Sequence, residues 1–137
     1  MSWDIFVQDL PKGVRRVQEI PEDFVPQPLG TRGELVRRIH EIAPEVDFDD
    51  RGWGQLDGDG YAIEISLGEN EVVESVALHV RGDKRAVYMV QHVLHELQLR
   101  ALDPSSDSGI FSLEAGSLDG FTRWRAFRDT VIRSEGA

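Results

Sequence analysis

Histidines and the acids beside them are the side chains of this chain with the clearest potential for chemistry. His92, His95 and Glu96 lie close together in a segment with apolar residues at helical spacing. A zinc-protease helix needs two histidines four residues apart with Glu directly after the first, or the inverted order His-x-x-Glu-His, and neither order is present. Histidines three apart could still share a metal with His79 or an acid as third ligand. A metal-dependent or small-molecule enzyme using His79, His92 or His95 with nearby acids is therefore one alternative, but no catalytic residue, metal ligand or cofactor is assigned.

The acidic segment ending at Asp59 is the second candidate. A calcium loop that began at Asp57 would need a bidentate Glu at its twelfth position, which is Gly68, and one that began at Asp49 would place Arg51 at its third position. The sequence Asp-Gly-Asp-Gly at 57–60 instead predicts a tight turn between two strands. Its carboxylates, opposed by Arg51 alone, are those of Glu41, Glu45, Asp47, Asp49, Asp50, Asp57 and Asp59.

Trp53 lies between two glycines inside this acidic segment. Large aromatic side chains often dominate the energy of protein interfaces, and complementary charges raise association rates and specificity. We therefore predict a non-enzymatic protein that binds a basic protein partner, and ordinary core packing of Trp53 is the competing interpretation. The predicted binding residues are Trp53, Asp49, Asp50, Asp57 and Asp59.

The composition restricts the remaining function classes. The chain has 137 residues, a formal net charge of −10 and no cysteine, so thiolate metal sites and a cysteine nucleophile are excluded. A nucleic-acid partner is not expected from so acidic a protein, and no apolar run reaches the roughly 20 residues that span a bilayer. We expect a cytoplasmic protein without a membrane or nucleic-acid partner. A structural homo-oligomer, such as a homodimer formed through an exposed sheet edge, is a further alternative.

The segment from Tyr61 to Leu97 predicts the centre of the fold. Large apolar residues alternate in 61–67 and again in 72–81, and the polar connection 68–71 between them is typical of a β-hairpin. Asp83 is the predicted N-cap of a following helix, whose apolar positions recur at helical spacing. Those positions are Val87, Val90, Leu94 and Leu97.

The other elements complete an α+β domain over residues 1–137. We predict strands at 3–9 and 53–56, an irregular packed segment at 11–30, and a helix at 31–43 that begins with the capping box Thr31…Glu34. Residues 99–102 and 109–113 could each add a short strand. The predicted fold is a single domain with an antiparallel sheet of four to five strands, a central meander over about 53–81, and three helices near 31–43, 84–98 and 118–132 packed mostly on one face.

Three sequence words carry a resemblance to a known group of proteins. They are Trp3-Asp4-Ile5-Phe6-Val7-Gln8-Asp9-Leu10-Pro11, then Ile20-Pro21-Glu22-Asp23-Phe24, then Gly52-Trp53-Gly54 followed by Asp57-Gly58-Asp59-Gly60. On these words the chain resembles an uncharacterised family of small bacterial proteins that carries no established activity, so the resemblance implies no functional residue. The general profile of a small, acidic, cysteine-free α+β chain is also similar to that of bacterial immunity proteins, which neutralise toxins.

Overall fold

Alternating apolar side chains build a six-stranded antiparallel sheet, seen in a computed structural model that describes residues 3–49 and 52–112. A second, two-stranded sheet lies beside it. The helices are α1 (Arg32–Ile42) and α2 (Arg85–Leu97). The strands are β1 (Trp3–Gln8), β2 (Gly30–Thr31), β3 (Asp47–Phe48), β4 (Trp53–Gly58), β5 (Tyr61–Ser66), β6 (Val72–Val73), β7 (Ser75–Gly82) and β8 (Arg100–Leu102).

The large sheet has the strand order β3-β4-β5-β7-β1-β8, and every neighbouring pair is antiparallel. The meander β4-β5-β7 forms from consecutive segments, as the alternation predicts. The N-terminal β1 then pairs with β7 over six residues, and so inserts itself between β7 and β8. Strands β2 and β6 form the small sheet, with Gly30 opposite Val73.

One face of the large sheet is buried under both helices. The inward residues of the strands, among them Ile5, Ile63 and Val80, join α1 and α2 in one apolar core. Helix α1 begins as predicted, because Thr31 accepts a hydrogen bond from the backbone N–H of Glu34 at 3.2 Å. Neither helix of the described chain is long and apolar enough to cross a membrane.

The α+β class is confirmed, but the prediction of four to five strands is wrong, since the large sheet has six. Strand β3 was missed because two residues are too few to show an alternating pattern. Of the optional strands, 99–102 is confirmed as β8, whereas 109–113 supplies only one bridge, between Ile110 and Leu102. The described part of the chain has two helices longer than a single turn, and the predicted third helix at 118–132 lies outside the described residues.

Two predicted boundaries also need correction. The segment 72–81 is not one strand but two, since the chain bends at Glu74. Val73 and Val76 are both buried although they are three residues apart, which a continuous strand with a period of two does not permit. The N-cap of α2 is Lys84 and not Asp83. Asp83 nevertheless supplies the capping oxygen, because its Oδ1 accepts from the backbone N–H of Arg85 at 2.9 Å.

The segment 11–30 packs on the rest of the protein only in part. Ile20 and Leu29 pack against the apolar clusters as predicted, whereas Val25 is 72% exposed. Leu10 and Val14 form a second small apolar cluster with Ile110. The guanidinium group of Arg100 donates to the carbonyl oxygens of Pro11 and Val14 and so fixes the start of the segment. A single 3₁₀ turn, Val17–Glu19, is its only helical element.

Candidate functional site

The second face of the large sheet carries a continuous row of polar residues. Cross-strand register places Asp47 opposite Gln55, Gln55 opposite Glu64, Glu64 opposite His79, and His79 opposite Asp4. Directly opposed residues point to the same side of a sheet, so five strands contribute one polar side chain each to a single line. Three of these five side chains are carboxylates, and no two carboxylates are direct neighbours in the row.

Trp53 lies in the adjacent row of the same face. Its neighbours along that row, Ser66 and Ala77, are small, so the indole ring has room to lie across the strands. The ring stacks on the imidazole of His79, with 6.0 Å between centroids and 23° between planes. Trp53 nevertheless retains 43% of its accessible surface. The interpretation of Trp53 as a core residue is therefore not supported, since its ring lies on the surface against a polar neighbour.

Hydrogen bonds hold the groups beneath and around this ring. His79 Nδ1 lies 2.8 Å from Asp4 Oδ1, which fixes the plane of the imidazole on which Trp53 stacks. The backbone N–H of Trp53 donates to Asp49 Oδ1 at 3.0 Å, and this bond holds the first residue of β4 in place. Gln55 Nε2 donates to Asp57 Oδ1 at 2.9 Å. These contacts leave Trp53 as an exposed aromatic ring in a fixed position.

The charge around Trp53 is predominantly negative. Asp47, Asp49, Asp57 and Glu64 contribute four carboxylates, and all four are at least partly exposed to solvent. Among the described residues, Arg81 also lies on this part of the face, and its Nη1 lies 3.4 Å from Glu64 Oε1. We define the Trp53 surface as Asp47, Asp49, Trp53, Gln55, Asp57, Glu64 and His79.

The structure brings three of the five predicted binding residues together. Trp53, Asp49 and Asp57 belong to the Trp53 surface, whereas Asp50 lies outside the described residues. Asp59 lies apart, in the turn between β4 and β5, where its Oδ2 accepts from Arg85 Nη1 at 2.9 Å. It therefore helps to join that hairpin to the start of α2.

Arg85 stays protonated in this arrangement. The hydrogen bonds that Arg85 donates to Asp83, with the charges of Asp83 and Asp59, raise the pKa of the Arg85 guanidinium above its ordinary value. A raised pKa stabilises the fold at every pH below the ordinary pKa, and that contribution is lost only as pH rises through the folded value. The arginine itself therefore introduces no pH dependence in the range where proteins are normally handled.

The three histidines of the enzymatic alternative do not meet. His79 lies on the second face of the sheet, while His92 and His95 belong to α2, which covers the first face. His92 lines a cleft between the two helices with Arg38 and Glu41. His95 lines a different cleft of about 540 Å³ near the end of the same helix. Across the described ranges, no three His, Asp or Glu side chains are grouped closely enough to hold a metal ion.

Reasoning from the sequence placed Asp47 in the acidic segment around Trp53 but missed the contribution of Glu64 and His79 to this surface. Alternation in 72–81 already placed His79 on the less apolar face, and the same pattern placed Glu64 on that face of its own strand. The register between strands, which puts these side chains in one line with Asp47, depends on which strands pair. That pairing involves segments far apart in the chain, so the local pattern could not supply it.

No family model, curated protein or solved structure matches this chain. The geometry of the described residues is therefore the basis for the functional argument.

Proposed function

We propose that this chain is a non-enzymatic acidic protein that binds a basic protein partner through the Trp53 surface. The observation that supports this most is the half-exposed indole of Trp53, which stacks on His79 on a sheet face lined by carboxylates. The proposal includes a cytoplasmic location and a role similar to that of an immunity protein, in which the basic partner is a toxin.

The fixed position of the indole favours its use as a binding anchor. Association is weakened whenever a side chain must lose rotational freedom on binding, by roughly 0.5–1.5 kcal/mol for each flexible group. His79 supports the Trp53 ring, and Asp4 holds His79, so much of this freedom is already lost in the unbound protein. An aromatic group that is exposed and held in place is typical of the residues that dominate interface energies.

The acidic groups determine which partners the surface attracts. Asp47, opposite Gln55 on β3, and Asp57, two residues beyond Gln55 on β4, are both exposed, and the whole chain carries a net charge of −10. Negative potential of this kind steers positively charged proteins toward the surface and repels acidic ones. The same potential is screened by salt, with a Debye length of about 10 Å at 0.1 M and about 3 Å at 1 M.

Affinity capture from the lysate of the natural host tests the proposal. A tagged copy of the protein is incubated with lysate and washed in parallel at about 0.1 M and about 1 M salt, where screening differs strongly. We expect one basic protein to be retained at the lower salt and depleted at the higher salt. A tagged copy with Trp53→Ala should retain less of it.

Two results would contradict the proposal. The first is that no protein is retained at either salt concentration. The second is that the retained protein is acidic, or is held equally well by the Trp53→Ala copy, because binding would then not depend on the charge or on the indole of this surface.

A further inference from the structure

We infer that the partner places an arginine side chain on the exposed face of the Trp53 ring. This inference rests on the proposed function and names the group that the Trp53 surface recognises. The indole stacks on His79, and Trp53 as a residue remains 43% exposed, so we place the arginine on the ring face opposite His79. The face of a tryptophan ring is the strongest aromatic site for a cation.

Carboxylates lie where such a cation needs them. The backbone N–H of Asp49 donates to the carbonyl oxygen of Trp53 at 2.9 Å, and this contact continues the register of β3 with β4. Asp49 is thus directly opposite Trp53. Asp47, two residues earlier in the chain, is the diagonal neighbour of Trp53. Side chains in these two relations begin about 5 Å and about 7–8 Å apart. An arginine that stacks on Trp53 therefore has acidic groups within reach of its N–H donors.

Arginine fits this arrangement better than lysine does. A guanidinium group is planar, so it can stack on an indole while its N–H groups point outward in the same plane toward carboxylates. It is also less strongly hydrated than an ammonium group and loses less on leaving water. A lysine would present one compact charge that can approach either the ring or a carboxylate, but it makes less contact with both.

Arg81, an arginine on the same face of the sheet, does not occupy this position. Arg81 is on β7, and its guanidinium pairs with Glu64 at 3.4 Å. Register places Arg81 opposite Ala62 and thus in the row of Asp57, at the other side of the polar row from Trp53. The incoming arginine is therefore expected to pair with Asp47 and Asp49.

Titration with two short peptides tests this inference. Fluorescently labelled hexa-arginine and hexa-lysine are titrated with the purified full chain at about 0.1 M salt, and binding is followed by anisotropy. We expect hexa-arginine to bind roughly two- to five-fold more tightly than hexa-lysine, the preference given by one exposed stacking contact. Trp53→Leu should remove this preference. Tyr88→Leu should keep it, because Tyr88 is an exposed aromatic residue, 52% accessible, that lies on α2 and outside the Trp53 surface.

Three outcomes would overturn the arginine inference. They are equal binding of the two peptides, no binding of either, or a preference for arginine that persists in Trp53→Leu. None of them decides the proposed function, which depends on whether a basic protein from the host requires the Trp53 surface. Conversely, the chain could prefer hexa-arginine while no basic host protein is captured through the Trp53 surface. That result would contradict the proposed function and leave the arginine inference standing, so the two failures are distinguishable.

Discussion

Individual contacts, more than residue types, determine that the ring of Trp53 is exposed and supported on the sheet. A tryptophan between two glycines could equally fill a core. Here the small side chains of Ser66 and Ala77 let its ring lie on the sheet, and His79 gives the ring a flat polar support. Asp4 on β1 orients the imidazole ring, since its Oδ1 lies 2.8 Å from His79 Nδ1. An exposed aromatic residue is thus made rigid by groups that are distant in sequence.

Asp103 joins the start of β1 to the loop after β8. It is fully buried, and its Oδ1 accepts from the Ser105 hydroxyl at 2.6 Å, from the backbone N–H of Ser105 at 3.0 Å and from Trp3 Nε1 at 3.2 Å. Trp3 Nε1 also donates to Ser105 Oγ at 2.8 Å, so the donors that would lose their acceptor in an Asp103 variant are those of Ser105. Each buried donor that loses its acceptor costs about 1–3 kcal/mol. We expect Asp103→Ala to lower the free energy of unfolding by about 2 kcal/mol or more, measured by urea denaturation.

The control for this prediction is Asp23→Ala, which removes a carboxylate from an exposed loop position. It should change the free energy of unfolding by less than about 0.5 kcal/mol, as surface substitutions usually do. If Asp103→Ala were no more destabilising than Asp23→Ala, the buried carboxylate would not be holding the start of β1 to the loop after β8.

Local patterns predict most of the elements, because each pattern is completed within a few residues. The capping box at Thr31 starts α1, and alternation defines β1, β5 and most of β7. The bend at Glu74 could not be predicted, since it arises when β6 leaves the large sheet to pair with β2. For the site, the sequence indicates Trp53 and the acids beside it, but not the row to which His79 belongs, because five strands must first be placed in register.

Gly82 and Gly33 differ in the space that each leaves for a side chain. Gly82 ends β7 with φ of +115°, and a Cβ there would lie 2.4 Å from the carbonyl oxygen of Gly60 and 2.4 Å from the Cα of Tyr61. Both contacts are with backbone, which cannot move aside. We expect Gly82→Ala to destabilise the fold by more than about 2 kcal/mol, because strain and overlap add at this site.

Gly33 is the matched control. It lies in the first turn of α1, and a Cβ there would meet nothing within 4 Å. Gly33→Ala should therefore be neutral or stabilise the fold by up to about 0.5–1 kcal/mol through the unfolded chain. Thermal unfolding of both variants measures the difference. Equal melting temperatures would contradict the predicted overlap between a Cβ at Gly82 and the backbone of Gly60 and Tyr61.

The whole molecule presents short sheet edges and an acidic surface. In the part of the chain that the structure describes, the large sheet ends at β3 with two residues and at β8 with three. Short edge strands offer few free backbone groups for pairing with a second sheet. The net charge of −10 also opposes self-association.

We therefore predict a monomer, in contrast to the homodimer that the sequence left as an alternative. Light scattering after size exclusion should give a mass near 15.4 kDa across a concentration series at about 0.15 M salt. A mass near twice this value at all concentrations would favour the structural homo-oligomer, and would require the partner surface to be sought at the dimer interface.

In the proposed function, the charge around Trp53, and not the acidity of the chain as a whole, selects a basic partner. The most direct measurement compares capture from host lysate by the wild-type chain and two variants. One is Asp47→Lys with Asp57→Lys on the Trp53 surface, and the other is Glu22→Lys with Asp23→Lys in the segment before β2. All four positions are exposed, and each variant changes the net charge by the same amount.

We predict that the wild-type chain and the Glu22/Asp23 variant retain the same basic protein at about 0.1 M salt, while the Asp47/Asp57 variant loses it. Equal retention by all three proteins would contradict the account, because the partner would then bind elsewhere. Equal loss from both variants would also contradict it, because net charge alone would then explain the binding.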